Sequence, residues 1–398
     1  MSAENAAEPL LEDFEHVETV EDFRARLKLG RPLSIKLGID PTSADLHLGF
    51  MVVLHQLQRF AEAGHRVTLI IGDFTARIGD PSGRNVTRPQ LSSEEIEANM
   101  QTYRVQAGKV LDMERITVRY NSEWLDRLGL ADLVRLLSKT TVAQMLERND
   151  FRNRYADGTP IALHELLYPV AQAYDSIAIE ADVELGGSDQ LFNLLLGRHY
   201  QRECGQLPQI CATVPLLVGT DGSKKMSKSF DNYIGVAEPA NDQFGKIMRI
   251  GDELIPTYAR LAAFRPKAEC DRLEAELLAG RADPMEEKKR LGQDVVARYH
   301  GGDAAKVARA YFERTVQAKE IPVDGLREVS TSATAVSVIL VTANLATSKR
   351  EAERLISQRA VKIDGTVITD RNAVWDATAP AVLSVGSYKF VRLRPERK

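Results

Sequence analysis

Cysteine is scarce: Cys204, Cys211 and Cys270 are too few and too scattered for a disulfide framework or a zinc site. No apolar run approaches the roughly 20 residues that a membrane helix needs. The first 22 residues hold eight acidic side chains and no Lys or Arg, the reverse of what a signal peptide requires. Neither a Walker loop nor a GxGxxG fingerprint occurs, which disfavours P-loop and dinucleotide binding. Internal repeats, low-complexity tracts and Ser-His-Asp or Cys-His arrangements are also missing. The expectation is a soluble, cytoplasmic protein, and 398 residues are more than one compact core usually holds.

Charge is nearly balanced at −4, but its placement is uneven. Residues 333–398 carry eleven Lys and Arg against six Asp and Glu, at the end opposite the acidic N-terminus. Such asymmetry suits contact with a polyanion, and equally suits a solvated charged surface.

The first half alternates apolar, β-rich runs with helical patterns, which predicts a parallel sheet with crossover helices. Leu33–Ile39 and Val67–Asp73 read as strands. Between them, the helical pattern from Leu46 ends at Gly64, a natural C-cap. A third strand is expected at Ile116–Tyr120, and helices at Leu130–Leu146 and Leu163–Ala173. Residues 239–319 read as mostly helical, and 319–332 as a polar linker containing Pro and Gly. The tail then shows a helix over Ala335–Ala343 and a second helix capped by Ser348. A hairpin turning at Asp364-Gly365 and a basic, alternating final strand complete it.

Two segments carry chemistry. In the first, Asp40-Pro41-Thr42 precedes His47-Leu48-Gly49-Phe50 at the start of a helix that follows a strand. A helix N-terminus favours phosphate, a His there can donate to it, and Gly49 leaves room for a flat ring. The second, Gly222 to Ser229, reads GSKKMSKS, with lysines among small residues on a loop able to close over phosphates. Singly, each reads equally well as a surface feature.

Together, the HxGx-type start and the downstream KMSKS resemble the two signatures of class I aminoacyl-tRNA synthetases. Gly79-Asp80-Pro81-Ser82-Gly83, Tyr168 with Gln172-Ala173-Tyr174-Asp175, and Gly186-Gly187-Ser188-Asp189-Gln190 resemble the tyrosyl-tRNA synthetase pattern. The tail is similar to the small RNA-binding domain first known from a ribosomal protein. The resemblance implies an α/β fold: a Rossmann-like parallel-sheet nucleotide-binding domain, an α-helical domain and a small C-terminal α+β RNA-binding domain. The corresponding division is an extension over 1–32, a catalytic domain over 33–222 and the KMSKS loop with the helical anticodon side over 223–320. A linker over 321–332 and the RNA-binding domain over 333–398 follow.

The resemblance further implies tyrosine, ATP with substrate-borne Mg2+, and tRNA(Tyr) as partners of a homodimer, with no protein-held metal. His47, Lys225, Lys228, Arg84 and Arg88 fall at the family's catalytic positions. Gly38, Asp40, Thr42, Gly49, Gly187 and Asp189, with His47, Lys225 and Lys228, fall at its ATP site. Thr75, Asp80, Asn121, Tyr168, Gln172, Asp175 and Gln190 fall at its tyrosine site. In the tail, Lys349, Arg350, Arg354, Arg359 and Lys362 are candidate contacts to tRNA phosphates.

Two departures stand out. Phe50 replaces the usual His of the first signature, and Lys36 stands where many relatives place a tyrosine touching the substrate phenol. A tryptophanyl-tRNA synthetase shares both signatures and the fold, but Asp175 and the basic tail favour tyrosine. A silent RNA-binding descendant of the family would not need His47, Gly49, Lys225 and Lys228. A general nucleotidyltransferase leaves the tail unexplained.

Overall fold

The structure is a computed structural model that describes residues 9–41, 45–81, 92–318, 326–386 and 389–396. The chain divides into two units, 1–238 with 250–284, and 239–249 with 285–398.

In the first unit, β1 (His16–Glu18), β2 (Ser34–Ile39), β3 (Arg66–Ile71), β4 (Ile116–Tyr120), β5 (Val183–Gly187) and β6 (Ile210–Val214) form one sheet in the order β1-β6-β5-β2-β3-β4. Only β1 runs antiparallel to its neighbour. The parallel strands are near-continuous apolar runs because helices cover both faces. Helix α1 (Val20–Leu27) lies in the acidic extension, and α2 (Leu48–Glu62) joins β2 to β3, burying Leu48, Met51, Leu54 and Leu57. Gly64, with φ +85, follows its C-cap at Ala63. The chain runs from β2 outward to β3 and β4, then from β5 outward to β6 on the other side. The strand order therefore reverses between β2 and β5, and a crevice opens beyond their carboxyl ends.

The helix expected over Leu130–Leu146 is two: α3 (Leu130–Leu137) and a short turn, Val142–Met145. Thr141 accepts from the Gln144 amide and Gln144 returns the bond, so hydroxyl-rich Ser138–Thr141 starts a new capping box instead of continuing the helix. Likewise Leu163–Leu166 is a 3-10 turn ahead of α4 (Leu167–Ala178), which packs on α5 (Leu191–Glu203).

The second unit holds α6 (Ala240–Ile247), α7 (Pro284–His300) and α8 (Gly302–Phe312), packed around Phe244, Val296 and Ala308. It also contains α9 (Val336–Thr342), α10 (Lys349–Ser357), and a sheet of β7 (Glu328–Thr331), β8 (Val361–Ile363), β9 (Thr366–Val367), β10 (Ala381–Val385) and β11 (Lys389–Pro395) in the order β7-β11-β10-β8-β9. Leu340, Ile356, Trp375, Leu383 and Leu393 fill its core. Ser348 caps α10 by accepting from the Glu351 amide, and β8–β9 is the expected hairpin. Within the stretch read as a linker over 321–332, Glu328–Thr331 form a strand that pairs parallel with β11. An edge strand needs few apolar residues, and Val329 and Thr331 suffice, so composition conceals it.

The acidic extension is fastened to the first unit. Asp13 accepts from Arg59 (2.8 Å) and Arg260 (2.9 Å), and Arg198 donates to Asp22 at 2.7 Å. Buried Asp182, just before β5, accepts from Arg26 (3.0 Å), Arg31 (2.7 Å) and the Ser34 amide (2.9 Å), joining the extension to the first residue of β2. Burial alone would raise this carboxyl, but the Arg31 and Ser34 hydrogen bonds more than offset it and hold it below its ordinary value. Asp182→Asn should cost about 3 kcal/mol in urea unfolding near neutral pH. A depressed folded value makes this contribution complete above about pH 4 and lost on acidification below it, so the two unfolding curves should converge there.

Candidate active site

The crevice at the strand reversal is a cavity whose walls come from the ends of β2, β5 and β6, the start of α2, helix α4 and the loop after Pro215. Gly38, Asp40, His47, Gly49, Thr75, Asp80, Asn121, Tyr168, Gln172, Asp175, Gly187, Asp189, Gln190 and Lys225 all line it. Thr42, Arg84 and Arg88 lie outside the described residues.

At one end, His47 is the N-cap residue of α2 with no side-chain cap bond. Its ring is half-buried, its enclosed Nδ1 has no partner among the described residues, and Phe50 lies 4.6 Å away between ring centroids. Burial, reinforced by Lys228 and then Lys225, pushes the imidazole down to about 4, so it is neutral at pH 7 and acts as an N–H donor. A side chain at Gly49 would press on this ring at 3.0 Å, so the glycine first of all makes room for His47.

The lysines are parked on carboxylates. Lys225 Nζ is 2.6 Å from Asp189, and Lys228 Nζ is 3.6 Å from Asp45 and 5.8 Å above the Tyr233 ring. The loop is held at its root by Asn232, which sequence reading missed. Its Oδ1 accepts from the Ser227 amide (2.8 Å), and its Nδ2 donates to Asp221 (3.0 Å) and the Lys225 carbonyl (3.1 Å). Any side chain at Gly219 would collide with it.

From here a hydrogen-bond chain crosses the cavity. Asp40 accepts from Tyr168 (2.9 Å) and Thr75 (2.7 Å), Asn121 donates to Thr75 (3.1 Å) and to Asp175 (3.4 Å), and Trp124 donates to Asp175 at 2.8 Å. Asp175 is 3% exposed, and burial pushes its carboxyl up to about 7 against the pull of Lys36 and of the Trp124 and Asn121 hydrogen bonds. Tyr168 therefore reaches Asp40, while Asp80 accepts from Gln190 (2.9 Å) and Arg148 (3.1 Å). Gln172 donates to Glu184 (3.0 Å) and accepts from Asn193 (3.0 Å). Trp124 follows Asn121 closely in sequence and Asn193 stands three residues after Gln190, to which it donates at 2.9 Å, whereas Arg148 lies 68 positions from Asp80.

The tail's predicted cations are separate from this cavity in sequence and lie in the second unit. Lys349, Arg350, Arg354, Arg359 and Lys362 are all exposed. Arg350 and Arg354 border a shallow cleft together with Arg371, a cation not singled out from the sequence, which donates to Ser357 at 2.8 Å.

The family profile described as tRNA synthetases class I (W and Y) matches residues 28–317, and the S4 domain matches 336–373. A tyrosine–tRNA ligase of Shewanella oneidensis is 48% identical over 375 residues, covering 94% of both chains. One from Thermotoga maritima is 49% identical over 374 residues, covering 94% of this chain and 93% of the other. The chain belongs to the tyrosyl-tRNA synthetase family. The fold agrees: the Aeropyrum pernix tyrosyl-tRNA synthetase structure covers 79% of this chain and 100% of its own at 20% identity, with a TM-score of 0.64. As a class I aminoacyl-tRNA synthetase, a family that uses ATP, the chain is an enzyme with an appended RNA-binding module.

The seat of Asp40 depends on a missing atom. A Cβ at Gly72 would strike both Asp40 Oδ1 and Thr75 Oγ1. Gly72→Ala should thus lower tyrosine-stimulated exchange of pyrophosphate into ATP by at least about tenfold, because small displacements of a positioned group are costly.

Proposed function

We propose that this chain couples tyrosine to ATP, giving tyrosyl-adenylate and pyrophosphate, and then transfers the tyrosyl group to the 3′-terminal adenosine of tRNA(Tyr). The observation that carries this reading is that a buried carboxylate, Asp175, and a cluster of phosphate-type donors, His47 and Lys225, line one cavity. A substrate carboxylate oxygen attacks the α-phosphorus as the bond to the bridging oxygen of pyrophosphate breaks. That carboxylate is already ionised at neutral pH, so no general base is required. Catalysis rests on positioning and charge stabilisation.

In this reading His47 donates a neutral hydrogen bond to the phosphates. Lys225 and Lys228 exchange Asp189 and Asp45 for the leaving pyrophosphate, with Arg84 and Arg88 as a second basic loop. Mg2+ enters with the nucleotide. Gly38, Asp40, Thr42, Gly187 and Asp189 receive the adenosine. Asp80, Tyr168 and Gln172 hold the ammonium end, and Thr75, Asn121 and Gln190 line the pocket. Asp175 accepts the substrate's phenolic hydrogen bond, and a phenylalanine would leave that buried acceptor unpaired.

The working unit is a cytoplasmic homodimer. Leu130, Val134 and Leu137 form one exposed apolar row on α3 at helical spacing, with Val142 and Leu163 exposed nearby in sequence, which supports burial against a second copy. The helical part over 223–320 serves the anticodon side, and the S4 module grips tRNA phosphates.

Exchange of labelled pyrophosphate into ATP, stimulated by tyrosine with phenylalanine and tryptophan as controls, tests the first step. Lys228→Ala should lower it about a hundredfold, and Asp175→Asn should reduce tyrosine kcat/KM at least about tenfold. Unchanged exchange in both variants, or stimulation by tryptophan, overturns the reading. Converting Arg350 and Arg354 to Ala should weaken tRNA binding and flatten its salt dependence while exchange persists; equal loss of both activities would refute that division of labour.

A further inference from the structure

Below the amino-acid end of the cavity lies a charged pair that the proposed reaction does not use. Lys36 on β2 and Glu184 on β5 are register partners in adjacent parallel strands, 0% and 1% exposed, with Nζ and Oε1 3.1 Å apart. Lys36 also donates to the Gln172 carbonyl (3.0 Å) and the Ser176 hydroxyl (2.6 Å). Glu184 accepts from Gln172 Nε2 (3.0 Å), Ser176 (3.2 Å) and Gln209. Burying two opposite charges in a sheet is costly, and apolar residues of similar volume would commonly serve stability as well or better. The pair therefore calls for another role, and its contacts indicate one. Gln172 and Ser176 flank Asp175 on a single turn of α4.

We propose that Lys36 and Glu184 are positioning residues that fix the turn carrying Asp175 and balance its charge, and so determine selectivity for a phenol over an unsubstituted aromatic ring. This rests on the reading of Asp175 as the acceptor of the substrate hydroxyl. Asp175 accepts from Trp124 on one side and Asn121 on another. The charges acting on it from the sheet are Lys36, which favours its ionised form, and Glu184, which opposes it. Asp40, Asp80 and Asp189 line the same cavity, and Lys225 enters it from the loop. Burial leaves the carboxyl at about 7, so each of these sheet charges has leverage within the working pH range.

The test is the pH dependence of tyrosine kcat/KM in pyrophosphate exchange, from about pH 5.5 to 9. Lys36→Met removes the cation and should move the acid limb up by roughly one pH unit, with tyrosine-over-phenylalanine preference falling about tenfold. Glu184→Gln removes the opposing anion and should move the same limb down. The doubly neutral Lys36→Met/Glu184→Gln variant should lie between them, and it carries the test with Glu184→Gln if Lys36→Met alone fails to fold by circular dichroism. Limbs that stay in place, or that move in the same direction in folded variants, overturn the proposal. Asp175→Asn separates the two readings: a limb that survives it refutes the phenol-acceptor role itself. If the limb vanishes there yet ignores Lys36 and Glu184, only the positioning pair falls.

Discussion

The carboxylate of Asp40 is the constraint around which the cavity is built. It stands just past the end of β2, at the point where the strand order reverses, and gathers the Thr75 hydroxyl and the Tyr168 phenol. Because Thr75 also receives Asn121, and Asn121 reaches Asp175, one side chain is linked by hydrogen bonds across the cavity to Asp175. A carboxylate so placed needs donors on every side and no Cβ from the next strand, which explains the glycine that follows β3. The sheet reversal supplies the crevice, but this carboxylate decides how its two ends relate.

Three charged pairs stand in and around the cavity. Lys225 rests on Asp189, Lys228 leans on Asp45, and Arg148 holds Asp80. At these partly exposed sites pairing offsets part of the lost hydration. His47 differs: burial beside two lysines keeps it neutral, which suits a donor that must not repel them.

How much of this was legible depends on sequence distance. The βαβ unit, Ile116–Tyr120 and the capped tail helix follow from local periodicity and cap chemistry, and the structure has them. Of the fourteen candidate residues that line the cavity, eleven came from short motifs, whereas Gly38, Thr75 and Asn121 came only from their family positions. Arg148, Asn193 and Asn232 belong to none of those motifs, and their bonds to Asp80, Gln172 and Asp221 span 68, 21 and 11 positions. Lys36 was legible only as a departure from the tyrosine that many relatives carry there; Glu184, 148 positions later, is its partner through strand register. Gly49 was read correctly as a space-maker but for another occupant, since the neighbouring imidazole uses that room first. The edge strand at Glu328–Thr331 was hidden because half of an edge faces water and needs no apolar signature.

The family match begins at residue 28, yet Asp13 already grips Arg59 on α2 and Arg260 beyond the KMSKS loop. The leading acidic stretch thus works as a strap buckled across two helices that also meet where His55 stacks on Phe264. Trimming the protein to the span of that profile would cut that buckle, leaving two guanidinium groups without their shared anion.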